Sequence, residues 1–212
     1  MPYFYESHAV MPWENIDNVV FDIGNVLLTF DPEKMLDQVF GENTPLKAEL
    51  LRRVFRSPYW LELDRGTLTD EEAAERMTQE KRELLPAVEQ VLTQRKYLKE
   101  PIEEGIFALK RCKQRKKRAY VLSNYHKSSF EYVLKKFDFF SDFDGYVISY
   151  ALHVLKPEQE IYQELLARYT LDPKRTLFLD DVQENVDAAQ KMGIQGFLVQ
   201  DYAELRRFFD VP

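Results

Sequence analysis

Cysteine is almost absent from this chain of 212 residues. Cys112 is the single one, so no intrachain disulfide can form, and a reducing cytoplasm is the expected setting. No apolar stretch approaches the ~20 residues that a bilayer crossing needs. Residues 1–15 include Glu6, His8 and Glu14 and lack the sustained apolar segment of a secretory signal or an anchor. Positive charge is also in deficit: Lys+Arg 29 against Asp+Glu 36 gives a net charge of -7. That balance argues against nucleic acid or an anionic membrane as partner, but leaves room for an anionic ligand at a locally positive site. Seven of the nine residues 110–118 are basic. They read as the cationic C-terminal end of a helix, where positive charge complements the helix dipole. The chain has no internal repeat and no low-complexity linker. The aromatics Tyr3, Phe4, Tyr5 and Trp13 are expected to pack against a core.

Short apolar runs alternate with helical patterns. The runs are Asn18-Val19-Val20-Phe21, Arg118-Ala119-Tyr120-Val121-Leu122, Tyr146-Val147-Ile148-Ser149, Thr176-Leu177-Phe178-Leu179 and Gly196-Phe197-Leu198-Val199. They lack polar alternation, as strands buried on both faces of a parallel sheet do. Helical patterns at 101–115, 127–136, 157–168 and 182–192 lie between them. The expected fold class is therefore α/β, a doubly wound parallel sheet. Residues 31–100 break the rhythm and read as helices at 32–40, 45–55, 70–82 and 86–97. Thr69 and Glu72 form a capping box at the start of the third. The expected organisation is a core of residues 1–30 and 101–212, with a helical cap of residues 31–100 inserted between the first two strands.

In open α/β sheets, ligands bind beyond the carboxyl ends of the strands. The polar residues that follow the apolar runs are Asp22, Ser123 with Asn124, Asp180 with Asp181 and, after a loop, Lys156-Pro157. A carboxylate, a hydroxyl, an amine and a carboxylate pair thus converge on one sheet edge. Asp22 can attack phosphorus and split one hydrolysis into two steps through an acyl phosphate. Lys156 can neutralise both the nucleophile and the transferring group, and Ser123 with its neighbouring amides can donate to the phosphoryl oxygens. Several carboxylates facing a phosphate dianion call for a cation, and an oxygen-only ligand set suits Mg²⁺. Successive strand residues point to opposite faces, so Asp180 and Asp181 are expected to have unequal roles.

The ordered set Phe21-Asp22-Ile23-Gly24-Asn25-Val26-Leu27, Leu122-Ser123-Asn124, Leu155-Lys156-Pro157 and Phe178-Leu179-Asp180-Asp181-Val182-Gln183-Glu184-Asn185 resembles the four motifs of the haloacid dehalogenase superfamily. The resemblance covers roughly residues 17–30 and 102–200. It implies a Rossmann-like core and a Mg²⁺-dependent phosphatase acting on a small-molecule phosphate ester. It also implies that Asp22 is nucleophile and metal ligand, that the Gly24 carbonyl and Asp181 are further ligands with Asp180 beside them, and that Ser123, Asn124 and Lys156 hold the phosphate. The first motif is similar to a bacterial subgroup that includes sugar-1-phosphate phosphatases, such as those acting on α-D-glucose 1-phosphate.

Gly24 departs from the pattern. The family's phosphatases usually carry a second Asp there as general acid and base, and glycine cannot move a proton. Esters with weakly basic leaving groups are therefore expected to be favoured, with His126 or His153 as candidate replacements. Two other readings compete. One is a hydrolytic dehalogenase, in which Asp22 attacks carbon without Mg²⁺. The other is a catalytically weak phosphate-binding module. A phospho-accepting receiver domain fails on motif order, since its acidic pair precedes the phosphorylated Asp. Tyr59, Trp60, Asp64 and Arg65, expected between cap helices, are candidates to face the substrate from above. The pattern carries no signal for oligomeric state.

Overall fold

The computed structural model describes residues 13–42 and 44–210. Tyr3, Phe4 and Tyr5 lie outside the described residues. Trp13 is buried, with its ring edge-on to Phe209 at 4.9 Å between centroids. The strands are β1 (Asn18–Phe21), β2 (Arg118–Ser123), β3 (Gly145–Ile148), β4 (Thr176–Asp180) and β5 (Gln195–Leu198). They form one parallel sheet in the order β3-β2-β1-β4-β5. The helices are α1 (Pro32–Phe40), α2 (Lys47–Leu50), α3 (Pro58–Arg65), α4 (Asp70–Met77), α5 (Leu85–Gln94), α6 (Glu103–Gln114), α7 (Lys127–Lys136), α8 (Ser149–Leu152), α9 (Gln159–Tyr169), α10 (Gln183–Lys191) and α11 (Tyr202–Phe209). None is long and apolar enough to cross a membrane.

The unbroken apolar strands follow from burial on both sheet faces. Val19 and Phe21 join the core beneath α6, α7 and α11, whereas Val20 joins the one beneath α9 and α10. Central β1 is therefore apolar from Val19 to Phe21, and buried Asn18 at its start donates to Thr176 Oγ1 at 3.1 Å. A third core, built from residues such as Leu36, Val54, Met77 and Val88, lies within the helical block formed by α1 to α5. Two connecting segments enter and leave that block side by side. Thr29 N donates to Glu100 O at 2.9 Å, Ile102 N donates to Leu27 O at 2.9 Å, and Leu28 bridges Pro101. Gly105 lets α6 approach this crossing, since a Cβ there would meet Val26 O at 1.9 Å.

Several elements differ from the sequence expectation. Residues 58–65 form a helix that the sequence leaves between helices. Pro58 occupies its first turn, where a missing N–H costs nothing, and left-handed Gly66 ends it. The helical pattern at 70–82 stops at Met77, where the Thr78 hydroxyl turns back onto Ala74 O at 2.8 Å. Ser149 starts α8 rather than ending a strand, and α11 adds a helix after the last strand. The Thr69–Glu72 capping box is present in both directions. The basic run at 110–118 ends α6. There Lys113 Nζ pairs with Asp144 at 2.9 Å and Arg111 Nε donates to Phe209 O at 3.0 Å, so both side chains are committed within the fold.

Candidate active site

Parallel pairing brings the ends of β2, β1 and β4 level with one another. Phe21 pairs with Val121 on one side and Leu179 on the other, so Asp22, Ser123 and Asp180 leave the sheet at one edge. Lys156 arrives from the turn after α8. Its Nζ donates to Asp180 Oδ2 at 2.6 Å and to Leu122 O at 3.1 Å. The same nitrogen lies 2.9 Å from Asp22 Oδ1, at ion-pair distance but without hydrogen-bond alignment. Helix α9 begins only at Gln159, so Pro157 sits in the preceding turn rather than in the helix.

The two neighbouring aspartates differ. Asp180 is fully buried and saturated: it accepts from Lys156, from Val182 N at 2.8 Å and from Asn185 Nδ2 at 3.0 and 3.2 Å. Asp181 lines the cavity and accepts from Asn25 Nδ2 at 3.0 Å. Asn25, next to Gly24 in the first motif, orients Asp181. Its side-chain oxygen accepts from Phe30 N at 2.9 Å and its carbonyl from Tyr202 OH at 3.0 Å. Asn25 adopts a left-handed φ of 50°, which asparagine tolerates better than most residues.

Asn124 makes a reciprocal pair with the Lys156 backbone. Its Oδ1 accepts from Lys156 N at 2.8 Å, and its Nδ2 donates to Lys156 O at 2.9 Å. It therefore holds the lysine loop as well as lining the cavity. The Ser123 hydroxyl is buried with no hydrogen-bond partner among the described residues.

Burial pushes the Asp22 carboxyl up to about 7, with Asp180 and Asp181 adding to the rise and Lys156 opposing it. Burial works against the Lys156 ammonium, but the charges of Asp180 and Asp22 outweigh it and hold the group above its ordinary value. Burial also raises the Asp181 carboxyl. Oxygen atoms of Asp22, Asp180 and Asp181 lie within 4.8 Å of one another. Three crowded carboxylates with one lysine leave negative charge unbalanced, and a hard cation with oxygen ligands fits that deficit.

The site opens into a cavity of about 250 Å³, which Gly24 also lines. Its far wall comes from the helical block and its connecting segments: Phe30, Trp60, Asp64, Arg95 and Lys99. Trp60 and Asp64 thus face the site, from helix α3 and not from a loop. Tyr59 packs into the helical block instead. Arg65 forms a forked pair with Glu158, at 3.0 and 2.6 Å, and so ties α3 to the turn that carries Lys156.

His126 lines the cavity with its Nδ1 engaged. Arg95 Nε donates to Nδ1 at 2.7 Å, and Asp64 Oδ1 lies 3.0 Å from Nε2, at ion-pair distance but without hydrogen-bond alignment. Burial lowers its pKa. An Nδ1 that accepts from Arg95 favours the neutral ring, as burial does. His153 caps α8 with its Nδ1 3.0 Å from Arg65 O, and it does not line the cavity. Lys99 and Arg95, also on the cavity wall, belong to no motif in the sequence. Their one sequence signal is position, just before the return at Pro101.

A profile of haloacid dehalogenase-like hydrolases matches residues 16–193. Drimenol cyclase drtB of Aspergillus calidoustus is 27% identical over 194 residues, covering 89% of this chain and 35% of that protein. The chain therefore spans about a third of that relative. Sesquiterpene phosphatase astK of Aspergillus oryzae is 26% identical over 184 residues, covering 86% of this chain and 89% of that protein. Among solved structures, a HAD family enzyme of Bacteroides thetaiotaomicron aligns with a TM-score of 0.68 at 22% identity, over 90% of this chain and 98% of that one. That enzyme has also been solved in complex with magnesium and inorganic phosphate. The L-2-haloacid dehalogenase of Xanthobacter autotrophicus aligns with a TM-score of 0.64 at 20% identity, over 87% of this chain and 77% of that one. At these identities the structural likeness carries the fold alone.

Proposed function

The chain belongs to the haloacid dehalogenase-like hydrolases, and from that premise we propose that it is a Mg²⁺-dependent phosphatase for small phosphate monoesters. The observation that carries the reading is the cluster of Asp22, Asp180 and Asp181 around Lys156 at the sheet edge. A carboxylate nucleophile attacking carbon needs no such excess of negative charge beside it, so the cluster favours phosphoryl transfer over dehalogenation. Its reserve of charged and unpartnered groups also favours catalysis over a weak binding module. In this reading Asp22, Asp181 and the Gly24 carbonyl hold Mg²⁺, with Asp180 supporting. The bound ion supplies charge neutralisation that lets a phosphate dianion approach a carboxylate.

Asp22 attacks phosphorus and becomes an aspartyl phosphate, and water then hydrolyses that intermediate. Lys156 favours the ionised form of Asp22 against burial and aims it, being fixed by Asp180 on one side and by Asn124 through its backbone. The orphaned Ser123 hydroxyl is a donor for a phosphoryl oxygen, which would relieve the cost of leaving it buried and unpaired. The helical block, residues 31–100, acts as a cap that excludes water from the cavity.

A sugar phosphate is one substrate class under this proposal. An isoprenoid phosphate is a second, favoured by the aromatic wall of Phe30 and Trp60, which Phe55 backs, and by similarity to the sesquiterpene phosphatase. The test is phosphate release from glucose 1-phosphate, farnesyl phosphate and an aryl phosphate, in Mg²⁺ and in EDTA. Turnover confined to Mg²⁺ supports the proposal. Equal turnover in chelator, or none on any ester, would remove it.

A further inference from the structure

In an in-line displacement, the attacking and leaving oxygens lie on opposite sides of phosphorus. Asp22 attacks from the sheet edge, so the leaving oxygen points across the cavity toward the helical block. An alkoxide leaving there needs a proton, and Gly24 has none to give. Backbone geometry does not demand glycine at that position: a Cβ at Gly24 would meet only Asp22 Oδ2, at an ordinary 3.9 Å.

The groups on the far wall narrow the source. Arg95 is spent on His126, Asp70, Ser128 and the Leu92 carbonyl, and a guanidinium does not give up a proton. His126 Nδ1 accepts from Arg95 and so has no proton to give, and its Nε2 faces the Asp64 carboxylate at 3.0 Å. Burial raises the Tyr125 phenol far above neutrality. Asp64 has an oxygen committed to His126. Lys99 remains. It is buried at 7% exposure and lines the cavity, and its ammonium lies 4.2 Å from the centre of the Phe30 ring. Among the described residues it has no hydrogen-bond or ion-pair partner.

We propose that Lys99 is the proton carrier of the reaction, donating to the leaving oxygen and then accepting from the attacking water. This rests on the phosphatase reading above. In the first step the Asp22 O–P bond forms while the bond from phosphorus to the leaving oxygen breaks. The electron pair stays on that oxygen, the Lys99 ammonium protonates it, and an alcohol and a neutral amine result. In the second step water attacks phosphorus, the amine takes its proton, and the Asp22–phosphorus bond breaks. Inorganic phosphate, free Asp22 and the Lys99 ammonium are restored. Burial holds the Lys99 ammonium down to about 7, with the Asp64 charge opposing and the Arg95 charge assisting. Those two charges and the Phe30 ring are its neighbours toward the site, while Asp31, Lys34, Glu100 and Lys136 line a second pocket with it, and near neutrality a proton can cross in either direction.

The test compares an aryl ester, p-nitrophenyl phosphate, whose leaving group needs no proton, with an alkyl ester, in wild type, Lys99→Arg and Lys99→Met. The expected result is that the ratio of alkyl to aryl kcat/KM falls by about 100-fold or more in both variants. Arginine keeps the charge but cannot donate, so it should fail to rescue the ratio. The ammonium is the donor form, so wild-type alkyl kcat/KM should decline as pH rises through about 7. That limb should vanish in Lys99→Arg. Parallel loss on both esters, or rescue by arginine, would make Lys99 a charge for binding and overturn the proposal. An unchanged ratio would overturn it too. A wild type that hydrolyses neither ester would instead sink the phosphatase reading.

Discussion

The sheet edge and the wall facing it across the cavity are built on different principles. At the edge, every functional residue but Lys156 follows directly from a strand end: Asp22 after β1, Ser123 and Asn124 at the end of β2, Asp180 and Asp181 at the end of β4. Parallel register then fixes their mutual positions. On the facing wall, Trp60 and Asp64 come from α3, Arg95 follows α5, and Lys99 sits in the returning segment. No backbone repeat relates them, and only the packing of the helical block assembles them. The contrast separates chemistry held by the backbone from selectivity and proton handling held by side-chain packing.

The largest expected effect lies at the edge. Asp22→Asn should lower turnover by at least about 10⁴-fold, as loss of a nucleophile does elsewhere, with circular dichroism unchanged. Substantial residual activity would break the contrast at its root. Lys156→Met comes next. It strands Asp22 and Asp180 as buried carboxylates without their partner, and should cost about 3–5 kcal/mol of stability in urea titration as well as activity. A variant as stable as wild type would mean that the ion pairs are not what organises the edge.

The paired aspartates offer a finer comparison. Asp181→Ala should raise the Mg²⁺ concentration for half-maximal activity by about 10–100-fold, on the scale seen for perturbed metal sites. Asp180→Ala should act chiefly through lost stability, since Asp180 anchors Lys156, Val182 N and Asn185. The reverse pattern would exchange their roles. The smallest effect is expected from Trp60 on the facing wall. Trp60→Ala should raise KM for an apolar phosphate ester by about tenfold, within the range of one apolar contact, and leave kcat near wild type. A kcat loss as large as that of Lys156→Met would erase the distinction between the two regions.

The same contrast explains what the sequence makes legible. Strands buried on both faces must be apolar throughout, so the five runs mark the sheet, and the polar residue after each run marks the edge. The capping box at Thr69 and the helix at Pro32–Phe40 are legible because capping and turn chemistry are local. Helix α3 is hidden because its short amphipathic stretch, Pro58–Arg65, lacks a side-chain cap. Lys99 is hidden for a different reason. A lysine among Lys96, Tyr97 and Glu100 reads as a solvated surface residue, and only the tertiary crossing of residues 27–30 with 99–102 buries it. Asn25 and Asn124 stand in recognisable motifs, but their reciprocal contacts with Asp181 and the Lys156 backbone appear only once the strands are aligned.

The central claim is that Asp22 takes the phosphoryl group. Its most direct test is rapid-quench mass spectrometry of the enzyme mixed with substrate and Mg²⁺. The account predicts an acid-stable, base-labile phosphoryl adduct on the peptide containing Asp22, formed within one turnover and absent from Asp22→Asn. Turnover without that adduct, or an ester linking Asp22 to the carbon skeleton of the substrate, would contradict it.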